Sequence, residues 1–206
     1  MTICIVTDRQ RFDPPIDGLL AMVREAVGAG ADLIQVREPD LEARDLAALV
    51  ARVLALARGS ATRVLVNDRL DVALACGADG VHLRADSVPA ADARRIAPAG
   101  FLIGRSVHSP GEVDAAGGAD YLIAGTVYPT TSKPGGTRWL GPDGLREIVR
   151  AAAVPVLAIG GITVDRAGEV GATGAAGIAA IGAFGRAPSA AIAGMRHRFD
   201  SAKGAF

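Results

Sequence analysis

Residues 63–83 read RVLVNDRLDVALACGADGVHL. An apolar run stops at Asn67-Asp68, a segment with helical spacing follows, and a glycine and an aspartate lead straight into a second apolar run. A short, uninterrupted apolar run suits a strand covered on both faces, and glycine is the residue that ends a helix in the left-handed conformation. The stretch therefore reads as strand, helix, strand, the unit from which parallel sheets are built.

The same unit recurs outward in both directions. Apolar runs that end in a polar residue or a glycine occur at TICIVTD (2–8), LIQVRE (33–38), RVLVND (63–68), GVHLR (80–84), FLIGRSVH (101–108), YLIAGTV (121–127), PVLAIGG (155–161) and GIAAIGAF (177–184). Helical spacing appears between them, as in DGLLAMVREAVGAG, LEARDLAALVARVLALA, GPDGLREIVRAAA and SAAIAGMRHRF. Glycine-bearing turns recur as GAGADLI, CGADGVHL, GGADYLI and GATGAAGIA, so "GAD" is an echo of the repeat. Eight such units in 206 residues predict a single domain over 1–206, a (β/α)8 TIM barrel, with a doubly wound open sheet as the alternative.

Composition limits the function classes. Half of the residues are apolar, and 22 basic residues balance 22 acidic ones without a block of like charge. That balance gives no footprint for a nucleic-acid backbone or an anionic membrane. No apolar run reaches the ~18 residues of a membrane span, and the N-terminal residues enter a strand pattern without a basic leader, so a cytoplasmic protein is expected. Cys4 and Cys76 lie far apart in apolar surroundings and read as buried free thiols.

In a barrel of this kind the chemistry lies at the C-terminal ends of the strands. Glycines at the exits of strands 7 and 8, Gly160, Gly161 and Gly182, let backbone N–H groups approach a phosphate, or simply make tight turns. After strand 6, Thr130, Thr131, Ser132 and Lys133 form either a hydroxyl-rich, cationic lid over a phosphate or a solvated loop. Arg37 can fork onto a carboxylate or phosphate, or pair with Glu38 or Asp68. Asp68 is a candidate Mg²⁺ ligand, although such sites usually add a second carboxylate or substrate phosphates. His108, beside Ser106 and Ser109, can carry a proton near neutral pH, whereas His82 sits inside an apolar run and reads as structural.

The ordered set QVRE (35–38), NDR (67–69), GVHL (80–83), GRSVHS (104–109), GADYLIAGTVYPTTSK (118–133) and VPVLAIGGIT (154–163) resembles the thiamine phosphate synthase/TenI superfamily of small barrels. The match is collinear and covers nearly the whole chain. The resemblance implies one of two activities. Thiamine phosphate synthases displace pyrophosphate from a hydroxymethylpyrimidine pyrophosphate with a thiazole phosphate, using Mg²⁺. TenI-type relatives aromatise a carboxythiazole phosphate tautomer without a metal.

By resemblance, Gln35 and Arg37 lie on the pyrimidine-pyrophosphate side, Asn67 and Asp68 near the metal, and Ser106, Thr130, Ser132 and Lys133 around the substrate. The departures favour the TenI-like branch. The lysine expected after Arg37-Glu38 is Pro39, and the aspartate expected to help hold Mg²⁺ is Ser87, with Asp86 one residue away. Arg84 replaces a glycine beside that site. The expectation is therefore a thiazole tautomerase with His108 as acid/base, Arg37 on the substrate carboxylate, and no cofactor. The alternatives are a synthase with Mg²⁺ on Asp68, and a non-catalytic binder of a thiazole phosphate. The family also implies a homo-oligomer, a dimer or larger.

Overall fold

The computed structural model describes residues 1–130, 139–185 and 187–203. Eight parallel strands close into a barrel in sequence order: β1 (Thr2–Val6), β2 (Leu33–Val36), β3 (Arg63–Asn67), β4 (Gly80–Leu83), β5 (Leu102–Val107), β6 (Tyr121–Gly125), β7 (Val156–Ile159) and β8 (Gly177–Ala180). Closure is through β8 on β1, with Thr2 opposite Gly177 and Ile5 opposite Ala180. The predicted (β/α)8 barrel is what the chain forms, and the open-sheet alternative falls with the closure.

The strands carry two cores because side chains alternate across a pleated sheet. Inside the barrel pack Cys4, Val6, Leu33, Leu65, Tyr121, Ile123, Leu157 and Ala179. The alternate residues, such as Ile3, Ile5, Ile34, Val64, Val81 and Ile103, face the helices. Those helices are α1 (Pro15–Gly28), α2 (Ala43–Ala57), α3 (Leu70–Cys76), α4 (Ala90–Ile96), α5 (Gly141–Ala151), α6 (Ala167–Gly171) and α7 (Pro188–Lys203). Between β5 and β6 the expected helix is replaced by two short 3-10 turns, Pro110–Glu112 and Asp114–Ala116. Among the described residues no helix is long and apolar enough to cross a membrane. Cys4 is buried as expected, and Cys76 is partly buried; both are free thiols.

The "GAD" echo has a physical meaning in the barrel. Asp32, Asp79 and Asp120 each stand just before a strand and each grip one residue of the strand before it. Their Oδ2 atoms accept from the backbone N–H of Ile3, Val64 and Ile103, each at 2.7 Å. Their own N–H groups donate to the carbonyls of the same three residues, at 3.1, 2.9 and 2.7 Å. One aspartate thus satisfies both backbone groups at the open lower end of a strand, where the ladder has not yet begun. The preceding glycines, Gly30, Gly77 and Gly118, take the positive φ of the turn. In the fourth strand pair the position is Ala176, which keeps only the backbone bond, to Val156 at 2.8 Å. The motif therefore marks three of the four two-strand repeats.

Candidate active site at the barrel mouth

The interior turns polar toward the C-terminal ends of β2 to β5. Gln35 is 3% exposed; its Nε2 donates to Asn67 Oδ1 at 2.8 Å, and its Oε1 is buried without a hydrogen-bond partner among the described residues. An orphaned acceptor of this kind carries a desolvation cost of about 1–3 kcal/mol, which a ligand N–H would offset. Farther round the barrel, His82 Nε2 lies 2.9 Å from Ser106 Oγ, and His82 Nδ1 lies 3.2 Å from the Tyr121 hydroxyl. Burial pushes the His82 imidazole down to about 3, with Asp68 opposing and Arg105 adding to the shift, so the ring is neutral at physiological pH. His82 is buried between two hydroxyl groups, one of them on Ser106 at the barrel mouth.

Asp68 follows β3 with φ 61°, an unusual conformation for a residue other than glycine. Its Oδ1 accepts the hydroxyl of Ser87, a very short contact. The guanidinium of Arg84 is 3.8 Å from its Oδ2. Arg84 also holds Asp86 at 2.5 Å, which keeps that carboxyl below its ordinary range. Asp86 is thus tied up at the surface, and it is Ser87 that converges on Asp68. The β4–α4 loop is fixed from behind by Arg105, which is 8% exposed on the helix-facing side of β5. Its guanidinium donates to the carbonyls of Val88 at 2.6 Å and Ala85 at 2.9 Å. Sequence reading missed Arg105, since a charged residue facing the helices from mid-strand gives no sign of which carbonyls it caps.

Arg37 does not pair with Glu38. Glu38 is 4% exposed and turned the other way, accepting from Thr7 Oγ1 at 2.6 Å, the Arg9 backbone N–H at 3.1 Å and the Arg9 guanidinium at 3.2 Å. Thr7 Oγ1 in turn accepts the Arg37 backbone N–H at 2.9 Å. The Arg37 side chain is exposed, and among the described residues nothing binds its guanidinium. His108, the expected acid/base, is also exposed; its Nδ1 and backbone N–H lie 3.1 and 2.9 Å from Glu112 Oε2. Burial works against the Glu112 carboxylate, but the hydrogen bonds from His108 and Ser109 outweigh it and hold Glu112 below its ordinary value.

The opposite side of the mouth is built from backbone. Gly160 has φ 104° and Gly161 φ 61°. A Cβ at Gly160 would stand 2.2 Å from Thr126 Cγ2, and one at Gly161 would stand 2.3 Å from the Pro129 carbonyl. Both glycines are therefore required for the strand-7 exit to lie against the strand-6 loop. Arg166 locks that contact, donating to the Gly161 carbonyl at 2.8 Å while lying 4.4 Å over the Tyr128 ring. Gly182 opens a 3-10 turn beneath Arg11, whose guanidinium would be 3.0 Å from an added Cβ. Thr130 is half-buried at the start of the strand-6 loop. Thr131, Ser132 and Lys133 lie outside the described residues, so the expected lid does too.

A parallel eight-stranded barrel with polar side chains gathered at one half of its C-terminal mouth and paired glycines at the other defines the class as a small (β/α)8 barrel. A family model described as thiamine monophosphate synthase matches residues 3–184, and the chain belongs to that family. It is 45% identical over 186 residues to a thiamine-phosphate synthase of Methanoregula boonei, covering 88% of this chain and 86% of the relative. It is 42% identical over 172 residues to one from Pyrococcus horikoshii, covering 82% and 80%. Among solved structures, a thiamine phosphate pyrophosphorylase from Pyrococcus furiosus superposes with a TM-score of 0.85 at 38% identity, covering 98% of this chain and 96% of that one. These relatives overturn the TenI-like expectation. Chains of this similarity carry the synthase name, so the tautomerase and its isomerase chemistry are withdrawn.

Proposed function

We propose that the protein is a thiamine phosphate synthase, a transferase that joins a hydroxymethylpyrimidine pyrophosphate to a thiazole phosphate with release of pyrophosphate. The observation that carries the reading is the 45% identity to a named synthase over 88% of the chain. The interior chemistry supports it. Gln35 Oε1 is a buried acceptor in need of a donor, which the amino group of an aminopyrimidine supplies. Asn67 holds the Gln35 amide in that orientation through its Oδ1. Ser106 adds a hydroxyl to the same polar interior. Arg37, whose guanidinium has no partner among the described residues, is assigned to the pyrophosphate, Gly160, Gly161 and Gly182 to the thiazole phosphate, and Thr130, Ser132 and Lys133 to substrate binding by their place in the sequence.

The donor set suits Mg²⁺ that arrives with the pyrophosphate and does not suit a resident ion. Asp68 and the Ser87 hydroxyl converge, but they bring one carboxylate between them, and Arg84 stands 3.8 Å from it. Among the described residues no cluster of three ligating side chains exists. Mg²⁺ commonly takes one or two carboxylates and completes its shell with water and substrate phosphates. When bound, it would neutralise charge developing on the leaving pyrophosphate. The residues themselves hold the pyrimidine ring, orient its pyrophosphate toward Arg37, and keep the thiazole opposite the bond that breaks. The thiazole nitrogen then forms a bond to the exocyclic methylene carbon as the carbon–oxygen electron pair leaves with pyrophosphate.

The test is an NMR time course of the purified chain with hydroxymethylpyrimidine pyrophosphate and the thiazole phosphate, with Mg²⁺ or with EDTA. Metal-dependent thiamine phosphate together with one equivalent of pyrophosphate is expected. Absence of product at saturating Mg²⁺ would overturn the reading.

A further inference from the structure

Tyr121, His82 and Ser106 form a connected chain inside the barrel, and the chain has a direction. Tyr121 and His82 are 6% and 2% exposed, and the hydroxyl-to-Nδ1 and Nε2-to-Oγ distances are 3.2 and 2.9 Å. A buried O–H has to donate somewhere. Among the described residues the Tyr121 hydroxyl has one hydrogen-bonding partner, Nδ1 of His82. Burial raises the phenol well above its ordinary pKa, so its proton stays in place. Nδ1 must then be the acceptor. A neutral imidazole carries one N–H, which leaves the proton on Nε2, donating to Ser106 Oγ.

The consequence falls on Ser106. With one lone pair of its oxygen taken by His82, its own proton is available, and among the described residues the hydroxyl makes no other hydrogen bond. We propose that Tyr121 and His82 are positioning residues that fix Ser106 as a hydrogen-bond donor to the ligand, so that the atom it selects is an acceptor, such as an unprotonated ring nitrogen. The inference rests on the synthase reading for the identity of that ligand and on the burial and hydrogen-bond geometry of Tyr121 and His82 for the direction of the chain. An acceptor open at Gln35 and a donor at Ser106 are the two kinds of group that an aminopyrimidine, with its amino N–H and its ring nitrogens, can satisfy.

The direction is read first, without ligand. In a long-range ¹H–¹⁵N spectrum of histidine-labelled full-length protein, the His82 ring is assigned among the three histidines by its loss in His82→Gln. A single tautomer protonated at Nε2 is expected at neutral pH. Protonation at Nδ1 would overturn the proposal. In Tyr121→Phe the lock is gone and a mixture of tautomers is expected; an unchanged single tautomer would remove Tyr121 from the chain.

The selectivity is read second. Affinity is measured for 4-amino-5-hydroxymethyl-2-methylpyrimidine and for two analogues, each with one ring nitrogen replaced by C–H. One analogue is expected to bind the native chain about tenfold more weakly, and Ser106→Ala is expected to bring that ratio to about one. A native ratio of about one for both analogues overturns the donor assignment. If no pyrimidine binds, the synthase reading and the selectivity fail together, while the tautomer spectrum still decides the direction of the chain.

Discussion

The two halves of the barrel mouth are made of different material. From β2 to β5 the mouth is side chains: the Gln35–Asn67 pair, Asp68 under Ser87, and Ser106 on His82. From β6 to β8 it is backbone: Gly160 and Gly161, pressed against Thr126 and Pro129, and Gly182 beneath Arg11. The first half is damaged by taking atoms away, and the second by adding them. A side-chain site can be retuned one hydrogen bond at a time, whereas a glycine site tolerates almost nothing, because the missing Cβ is what lets two loops touch.

The largest expected effect therefore lies on the glycine half. Gly161→Ala puts a Cβ within 2.3 Å of the Pro129 carbonyl at a residue whose φ is 61°. The clash is with backbone, so relief requires moving the strand-6 loop. A loss of about 3 kcal/mol of stability is expected, together with loss of thiazole phosphate binding. Urea unfolding and calorimetric titration check both. A variant with native stability and native affinity would break the distinction between the halves.

On the side-chain half, Arg37→Ala is expected to act on function alone. Its guanidinium has no partner among the described residues, and its backbone N–H keeps the bond to Thr7. A charge-assisted contact to a phosphoryl oxygen is worth about 1.5–3 kcal/mol, so kcat/KM for the pyrimidine pyrophosphate should fall about 10- to 150-fold while the melting temperature stays put. An unchanged kcat/KM would remove Arg37 from the leaving-group site.

The same contrast explains what was legible in the sequence. The eight strands and the repeat are written in periodicity and in the GAD turns, because those features come from local backbone requirements, whereas closure depends on the pairing of β8 with β1. The polar interior was legible only in part: Gln35, Asn67 and Ser106 stand at strand ends, but Tyr121 at the start of β6 gave no sign that it would reach His82. Pro39, Ser87 and Arg84 point in the sequence to a lost metal and pyrophosphate site, yet Ser87 meets Asp68, and Arg84, 3.8 Å from that carboxylate, is also bound to Asp86. His108, the proton carrier expected from its place after β5, is exposed and bound to Glu112 one turn on. Which way a strand-end side chain turns depends on a partner elsewhere, and single positions do not record it.

Acid should separate the halves again. His82 titrates at about 3 in the folded chain against 6.5 for the free side chain. Below 6.5 the unfolded chain binds the proton and the folded one does not, so stability falls as pH drops from 6.5 toward 3 and is flat with respect to this group above 6.5. Each pH unit in that window costs about 1.4 kcal/mol, or about 2 kcal/mol by pH ~5. Urea unfolding near neutrality and near pH ~5 should show that drop in the native chain and not in His82→Gln, in which no titrating group remains at the position. Equal losses in both would assign the acid sensitivity to other groups.

The smallest effect is the most diagnostic of how the metal is handled. Ser87 already reaches the Asp68 carboxylate, so Ser87→Asp places a second carboxylate where one hydroxyl now stands. Without a cation the two carboxylates would repel each other and cost some stability; with Mg²⁺ they become the pair that such sites commonly use. The expected result is about a tenfold fall in the Mg²⁺ concentration for half-maximal activity, near 1.4 kcal/mol, with kcat little changed. If the requirement does not move, the metal is held by the substrate's own oxygens, and the Asp68–Ser87 corner shapes the mouth without carrying it. If it does move, the side-chain half has been retuned by one residue, a change that the glycine half has no means to accept.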